Sequence, residues 1–248
     1  MPISPNFTSV LYKDWEINFL QCYPNGNLKY TELCNLFQLT AAAHSELGGI
    51  SFSDMQEFHQ AWVLSKMLVE VHKLPKWKDK VTVKTWIKSL ENSRSVRCLE
   101  LYLGEEKVVG CETFWAVFNT QTRRPESLAL PSDQFEKYPE ASATHNSFSK
   151  INIQNEPDCR ETRFTTIAKR QVALSDLDIV NHMNSVKYLE WCLDTINPKD
   201  LILGKLKSFE MNYLKELSLS DQATIAQNES VITINKDGKT CFALSFVV

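Results

Sequence analysis

The chain has 248 residues and a net charge of −3, from 27 Lys and Arg against 30 Asp and Glu, with 43% hydrophobic and 23% charged residues. This balance excludes a largely disordered chain, which needs less apolar material and more net charge. It also excludes a nucleic-acid binder working by bulk charge. The length suits one large domain or two of about 100–150 residues.

The opening, Met1-Pro2-Ile3-Ser4-Pro5-Asn6, has neither the basic nor the apolar region of a secretory signal. No stretch approaches the ~18 uncharged apolar residues of a membrane span. Seven cysteines are scattered without a C-x-x-C pair, which predicts reduced thiols, no metal site and a cytoplasmic location. Trp15, Ile17 and Phe19 alternate with polar neighbours, a strand signal, before Pro24-Asn25-Gly26-Asn27 punctuates the chain. From Tyr30 the apolar set Leu33, Phe37, Ala41 and His44 marks one helix face, and Gly48-Gly49 stops it. Strands are predicted at 61–72, 80–87, 94–103 and 108–119, with 104–107 as a hairpin turn.

Residues 131–157 are rich in Ser, Pro, Glu and Asn without a sustained period, which predicts a linker. Beyond it the programme restarts. A strand is predicted over 162–174, a polar loop over 177–183, and a helix over 184–196 with Val186, Leu189, Leu193 and Ile196 on one face. Strands follow at 207–217, 221–227, 230–235 and 240–248, with Asp237-Gly238 as a tight turn. A strand, a long helix and several antiparallel strands, done twice, predict an α+β duplication. The predicted boundaries are 10–130, a linker at 131–159, and 160–248. Lys29-Tyr30 and Lys187-Tyr188 are expected to occupy the same place at the two helix starts.

The densest polar cluster runs from Ser175 to Asn184 and holds Asp176, Asp178, Asn181, His182 and Asn184. A carboxylate there can order or deprotonate water, and free N–H groups at a helix start can face an oxyanion. Asn184 suits a helix N-cap equally well, and the aspartates suit turns. No phosphate loop, nucleophile elbow or metal spacing accompanies them.

As a string, Asp176-Leu177-Asp178, His182-Met183-Asn184-Ser185-Val186-Lys187-Tyr188 and Trp191 resembles the signature of the fatty acyl–acyl carrier protein (ACP) thioesterases. Tyr30–His44 resembles that family's first long helix. Trp62, Val63, Trp77, Val83, Trp86, Ile87, Trp115, Val117 and Arg123-Arg124 follow its first-half pattern, and Phe209 to Glu216 its later strand. The resemblance spans about Trp15 to Val248 and implies a double hotdog fold, two antiparallel sheets each wrapped around one long helix. It implies hydrolysis of acyl-ACP to free fatty acid and ACP without a cofactor or metal, the N-terminal half taking the acyl chain and the C-terminal half supplying the chemistry. It places the catalytic Asp at Asp178, the His at His182 and the strand Glu at Glu216.

The family's Asn two residues before the His falls on Val180, which has no donor to offer, and Asn181 stands beside it. A covalent route would need a nucleophile next to Glu216, where Leu217 stands; Cys192 on the flanking helix is the remaining candidate, with a place in the core as its other reading. The expected mechanism is attack by water, with Glu216, helped by Asp178, as base and with His182 and N–H groups of the Asn184 helix facing the oxyanion. For the missing donor at Val180, either Asn181 swings in, or a backbone N–H takes over, or activity is reduced. Leu33, Phe37, Ala41, Trp62, Leu64, Trp86 and Trp115 are the expected acyl-tunnel residues, with Asn184 near the substrate. Arg160, Arg163, Lys169, Arg170, Lys187 and Lys215 are available for an acidic carrier protein. An acyl-CoA thioesterase and a catalytically weakened acyl-binding module are the alternatives. An enoyl hydratase is disfavoured because no Pro precedes His182 at 179–181. Monomer and homodimer are both compatible with an internal duplication.

Overall fold

The computed structural model describes residues 3–153 and 164–248. The chain divides after Asn146 into two compact units. The N-terminal unit contains β1 (Val10–Glu16), α1 (Tyr30–Leu47), α2 (Phe52–Gln56), β2 (Gln60–Val71), β3 (Lys80–Glu91), β4 (Arg94–Leu103) and β5 (Glu106–Asn119). Its strands lie in the order β1-β3-β4-β5-β2 and pair antiparallel. The C-terminal unit contains β6 (Thr165–Gln171), α3 (Ser185–Leu193), α4 (Pro198–Ile202), β7 (Ser208–Tyr213), β8 (Gln222–Asn228), β9 (Val231–Lys236) and β10 (Lys239–Val247). Its order is β6-β8-β9-β10-β7, again antiparallel and with the same permutation. In each unit the long helix packs on the sheet, α1 against β3 and α3 against β9 and β10. The fold is thus α+β and a double hotdog.

The alternation of apolar residues sets the two faces of the N-terminal sheet. Thr85 and Arg97 point to α1, where the Arg97 guanidinium lies 2.7 Å from His44 Nδ1 and 3.3 Å from Thr85 Oγ1. Leu33, Phe37, Ala41 and His44 on the facing side of α1 are all buried. The opposite sheet face carries Trp86, Cys98 and Ala143 as a small cluster.

Residues 131–146, read from sequence as part of a linker, are packed on the N-terminal unit. Phe135 is buried with Ile50, Ile87 and Leu90. The Trp86 indole donates to Ala141 O (3.1 Å), Lys107 Nζ to Ala143 O (2.8 Å), and the Glu70 carboxylate accepts the His145 and Asn146 N–H groups (2.8 and 2.9 Å). Gly110 has no side chain where the Ala143 carbonyl crosses the sheet, and a Cβ there would collide with it. These contacts run mostly through backbone carbonyls and N–H groups, so they leave no periodicity in the sequence. The other end of the predicted linker, and Arg160 and Arg163, lie outside the described residues.

No helix among the described residues is long and apolar enough to cross a membrane.

Candidate active site

Asp178, Asn181, His182 and Asn184 lie on one segment of the C-terminal unit and Glu216 on a second, joined by the backbone bond from Met183 N–H to Leu217 O (2.8 Å). A short 3₁₀ turn, Leu174–Asp176, leads into the first. Leu177 and Met183 then pair as an isolated bridge, closing a five-residue loop from Asp178 to His182. The Asp178 N–H donates to His182 O (2.8 Å) and the Asn181 N–H to Asp178 O (3.1 Å). Asn181 turns the chain at φ 64°, a left-handed conformation that Asn tolerates better than most residues. Asp178 Oδ1 accepts the N–H groups of Val180 (3.0 Å) and His182 (3.1 Å). One carboxylate oxygen therefore fixes the backbone that carries the imidazole.

The sequence suggests a strand through Leu217, but β7 ends at Tyr213 and Glu216 lies in the irregular stretch beyond it. The cause is a bulge in the neighbouring strand. The β9–β10 register shifts between Thr240 and Phe242, and the carbonyl of Cys241 accepts both the Leu214 and Lys215 N–H groups (2.8 and 3.0 Å). Bulges of this kind re-aim side chains next to functional sites. Leu217, fully buried, is bonded through both its N–H and its C=O, one in each of the two peptide units that flank its Cα. Its N–H donates to the Tyr188 hydroxyl (2.8 Å), and its C=O accepts from Met183 N–H (2.8 Å). The result sets His182 Nε2 3.6 Å from Glu216 Oε2, with both side chains about one-third exposed (29% and 35%). A water molecule or a thioester can reach groups so placed.

Of the expected N–H donors at the helix start, those of Met183, Asn184, Val186 and Lys187 are already engaged, the last with Asn184 O (2.9 Å). Met183 N–H serves Leu217 O, Asn184 N–H serves Asp176 O (2.8 Å), and Val186 N–H serves Asn184 Oδ1 (2.9 Å). Asn184 is thus the N-cap of α3, the other role its sequence context allows. The N–H groups of Val180, Asn181 and His182 are also spent within the loop, so none of them replaces a side-chain donor at Val180. The Asn181 side chain is exposed and makes no hydrogen bond among the described residues. Cys192 is buried, and burial holds its thiol far above the ordinary thiol range, which leaves it without nucleophilic character. Among the described residues no group of three or more His, Cys, Asp or Glu is placed to hold a metal ion.

Leu33, Phe37, Ala41, Trp62, Leu64, Trp86 and Trp115 all belong to the N-terminal unit. The three α1 residues and Leu64 are buried. Leu64 and Trp115 are cross-strand partners, as are Trp62 and Val117, and Trp115 shares the helix-facing side with Thr113, to which its indole donates (2.9 Å). Trp86 differs: it lies on the face turned away from α1, against Cys98 and Ala143. Alternation along β3 gives the face of Trp86 relative to Thr85 but not which face the helix covers. Of the basic candidates, Arg170 pairs with Asp194 (2.8 Å) and lies over Trp191, and Lys187 pairs with Glu190 (3.0 Å); Lys169 and Lys215 are exposed. The sequence assigns no site role to Tyr188, which enters it through the motif and the repeated Lys-Tyr pair, or to the bulge at Cys241.

Models of the acyl-ACP thioesterase N-terminal and C-terminal domains match residues 8–138 and 140–243. A chloroplastic oleoyl-acyl carrier protein thioesterase of Coriandrum sativum is 24% identical over 82% of this chain and 58% of its own length. A chloroplastic palmitoyl-acyl carrier protein thioesterase of Cuphea hookeriana is 28% identical over 73% of this chain and 46% of its own. The chain thus spans about half the length of these curated relatives. Among solved structures, an acyl-ACP thioesterase from Bacteroides thetaiotaomicron superposes with a TM-score of 0.84 at 20% identity, covering 96% of this chain and 97% of that one. The 12:0-ACP thioesterase from Umbellularia californica gives 0.76 at 18% identity, covering 96% of each. These two share the double hotdog fold. With both domain models matched in sequence along nearly its whole length, the chain belongs to the acyl-ACP thioesterase family.

Proposed function

We propose that this chain hydrolyses the thioester of fatty acyl-ACP to free fatty acid and ACP. The observation that carries this reading is the approach of Glu216 to His182, 3.6 Å apart on two segments joined by the Met183 N–H bond to Leu217 O, with the Leu217 N–H held by the Tyr188 hydroxyl. Glu216 takes a proton from water as the water oxygen bonds to the thioester carbonyl carbon. His182 faces the oxyanion that develops, and the exposed Asn181 side chain is the candidate second donor. The C–S bond then breaks, and the thiolate of the carrier leaves with the proton that Glu216 held. Asp178 acts through Oδ1 on the loop backbone, and its other oxygen is left to orient the water. The absence of nucleophilic character at Cys192 and of any nucleophilic atom at Leu217 supports direct attack by water over a covalent intermediate.

In this reading residues 10–130 form the acyl-binding half and 160–248 the catalytic half. Leu33, Phe37, Ala41, Trp62, Leu64 and Trp115, all on the α1 side of the N-terminal sheet, contact the acyl chain. The acidic carrier protein meets the exposed Lys169 and Lys215. The protein works in the cytoplasm, consistent with six free cysteines among the described residues.

Steady-state hydrolysis of acyl-ACPs from eight to eighteen carbons, with matched acyl-CoAs, tests the proposal. Release of free acid faster from ACP than from CoA is the expected result. Preference for CoA would transfer the activity to the other carrier, and no turnover on either would leave an acyl-binding module.

A further inference from the structure

We propose that Tyr188 is a positioning residue for the hydrolysis, holding Glu216 at its working distance from His182 through the Leu217 peptide; the inference rests on the reading of Glu216 as the base. Tyr188 is 3% exposed, and its ring lies against Tyr213 and Phe242 at centroid distances of 5.9 and 5.3 Å. Its hydroxyl accepts the Leu217 N–H at 2.8 Å. Burial keeps the phenol protonated far above its ordinary range, with the Glu216 and Asp178 charges as lesser causes, so the oxygen is a neutral acceptor throughout the working pH range. Leu217 is then gripped at both ends of one residue, since its carbonyl takes the N–H of Met183, the neighbour of His182. The residue immediately before it is Glu216. Loss of the hydroxyl would free the end of the peptide nearer to Glu216, while the Met183 bond remained.

The N-terminal unit supplies an internal comparison. α1 starts at Tyr30 as α3 starts at Ser185, so the fourth helical residue, Tyr188 in one unit, is Leu33 in the other. The Leu28 N–H donates to Pro75 O (2.8 Å) as the Met183 N–H donates to Leu217 O (2.8 Å), so Pro75 stands where Leu217 does. Leucine has no acceptor and proline has no N–H. Both members of the bond are missing together in the unit where the position of Glu216 is taken by Leu74. The clasp therefore accompanies the carboxylate, and the fold exists without it.

The test is Tyr188→Phe, which removes one oxygen and keeps the ring. We expect kcat on acyl-ACP to fall about tenfold with KM within about twofold, the pattern of a misplaced catalytic group. In a Glu216→Gln background the same change should cost less than about twofold, because a residue acting through Glu216 has nothing left to position. An unchanged kcat, or an equal fall in both backgrounds, would overturn the proposal. A Glu216→Gln enzyme as active as the wild type would instead overturn the reading of the base. Tyr213→Phe, which removes a hydroxyl bonded to Ser185 O (3.2 Å), serves as the control for stability and should leave kcat within twofold. If Tyr188→Phe does not fold, amide hydrogen exchange in the wild type decides: the Leu217 amide should be strongly protected, and exchange as fast as that of exposed loop amides would overturn the clasp.

Discussion

The loop from Tyr23 to Asn27 in the N-terminal unit and the loop from Asp178 to His182 in the C-terminal unit share one backbone and almost no side chains. The first N–H reaches the fifth carbonyl in both, Tyr23 to Asn27 and Asp178 to His182, each at 2.8 Å. The fourth N–H reaches the first carbonyl in both, at 2.8 Å from Gly26 and 3.1 Å from Asn181. The fourth residue is left-handed in each, at φ 83° for Gly26 and 64° for Asn181. The segments across from them match too. A bulge carbonyl, Val108 in one unit and Cys241 in the other, accepts two successive N–H groups, from His72 and Lys73 or from Leu214 and Lys215. On this common frame Asn27 stands at the place of His182 and Leu74 at the place of Glu216. Leu74 is buried at 6% exposure, whereas the Glu216 side chain is 35% exposed. The lesson is that the frame is a property of the fold, and the chemistry is a handful of substitutions placed on one copy of it.

The comparison breaks first if those substitutions are not what matters. Converting the C-terminal copy toward the other, by His182→Asn or Glu216→Leu, should lower turnover by about a thousandfold each. Thermal midpoints should hardly move, because the backbone bonds survive. More than a tenth of wild-type activity in either variant would argue against the assignment. Next in size is Asp178. In the N-terminal loop the fifth N–H is held by Asn25 Oδ1 (3.1 Å), while in the C-terminal loop Asp178 does this work and Val180 stands at the position of Asn25. Asp178→Ala should cost about a hundredfold in kcat through loss of the loop's shape. Asp178→Asn keeps an acceptor and should cost about tenfold. Equal losses would show that the charge and not the loop geometry dominates.

The units also differ in what their helices bury. His44 in α1 is fully buried, its Nε2–H donating to Thr8 O (2.8 Å) and its Nδ1 accepting from Arg97. Burial first, and the Arg97 charge second, lower its pKa from 6.5 to about 3. The unfolded chain therefore binds a proton that the folded chain refuses between these values. Stability should fall as pH drops below the unfolded value, by up to about 1.4 kcal/mol per pH unit, and level off near the folded one. Denaturant midpoints from pH 7 to 4 measure this, and His44→Gln should flatten the slope. A slope identical in the two proteins would remove His44 as the cause. The smallest effects are at the left-handed positions. Asn181→Gly should keep the loop and lower kcat only about threefold to tenfold, the share of one side-chain donor. Gly26→Ala should cost about 1 kcal/mol of stability from backbone strain and leave turnover unchanged.

Much of the frame is written in apolar periodicity. The strand predicted at 94–103 is β4 to the residue, the strands at 61–72 and 80–87 find β2 and β3, and Asp237-Gly238 forms the predicted hairpin turn with both residues at positive φ. Helix ends were harder to read. α3 stops at Leu193, short of Ile196, because Asn197-Pro198 caps a separate helix, α4. The repeated Lys-Tyr pair misled by nearly a turn. Tyr30 is the first residue of α1, whereas Tyr188 is the fourth of α3. The true equivalence of Tyr23–Asn27 with Asp178–His182 lies in backbone conformation that Gly and Asn reach by different routes, so letters alone do not show it. For the same reason, composition marked Asp178, His182 and Asn181 as a cluster. The bond between Tyr188 and Leu217, and the bulge that ends β7 before Glu216, depend on strands far apart in the chain.

The most direct test of the account sets wild type and Glu216→Gln side by side on one acyl-ACP, measuring free acid released per enzyme together with the thermal midpoint of each. The account predicts rapid release by the wild type, a loss of about a thousandfold or more in the variant, and matching midpoints. Equal rates in the two folded proteins would contradict it.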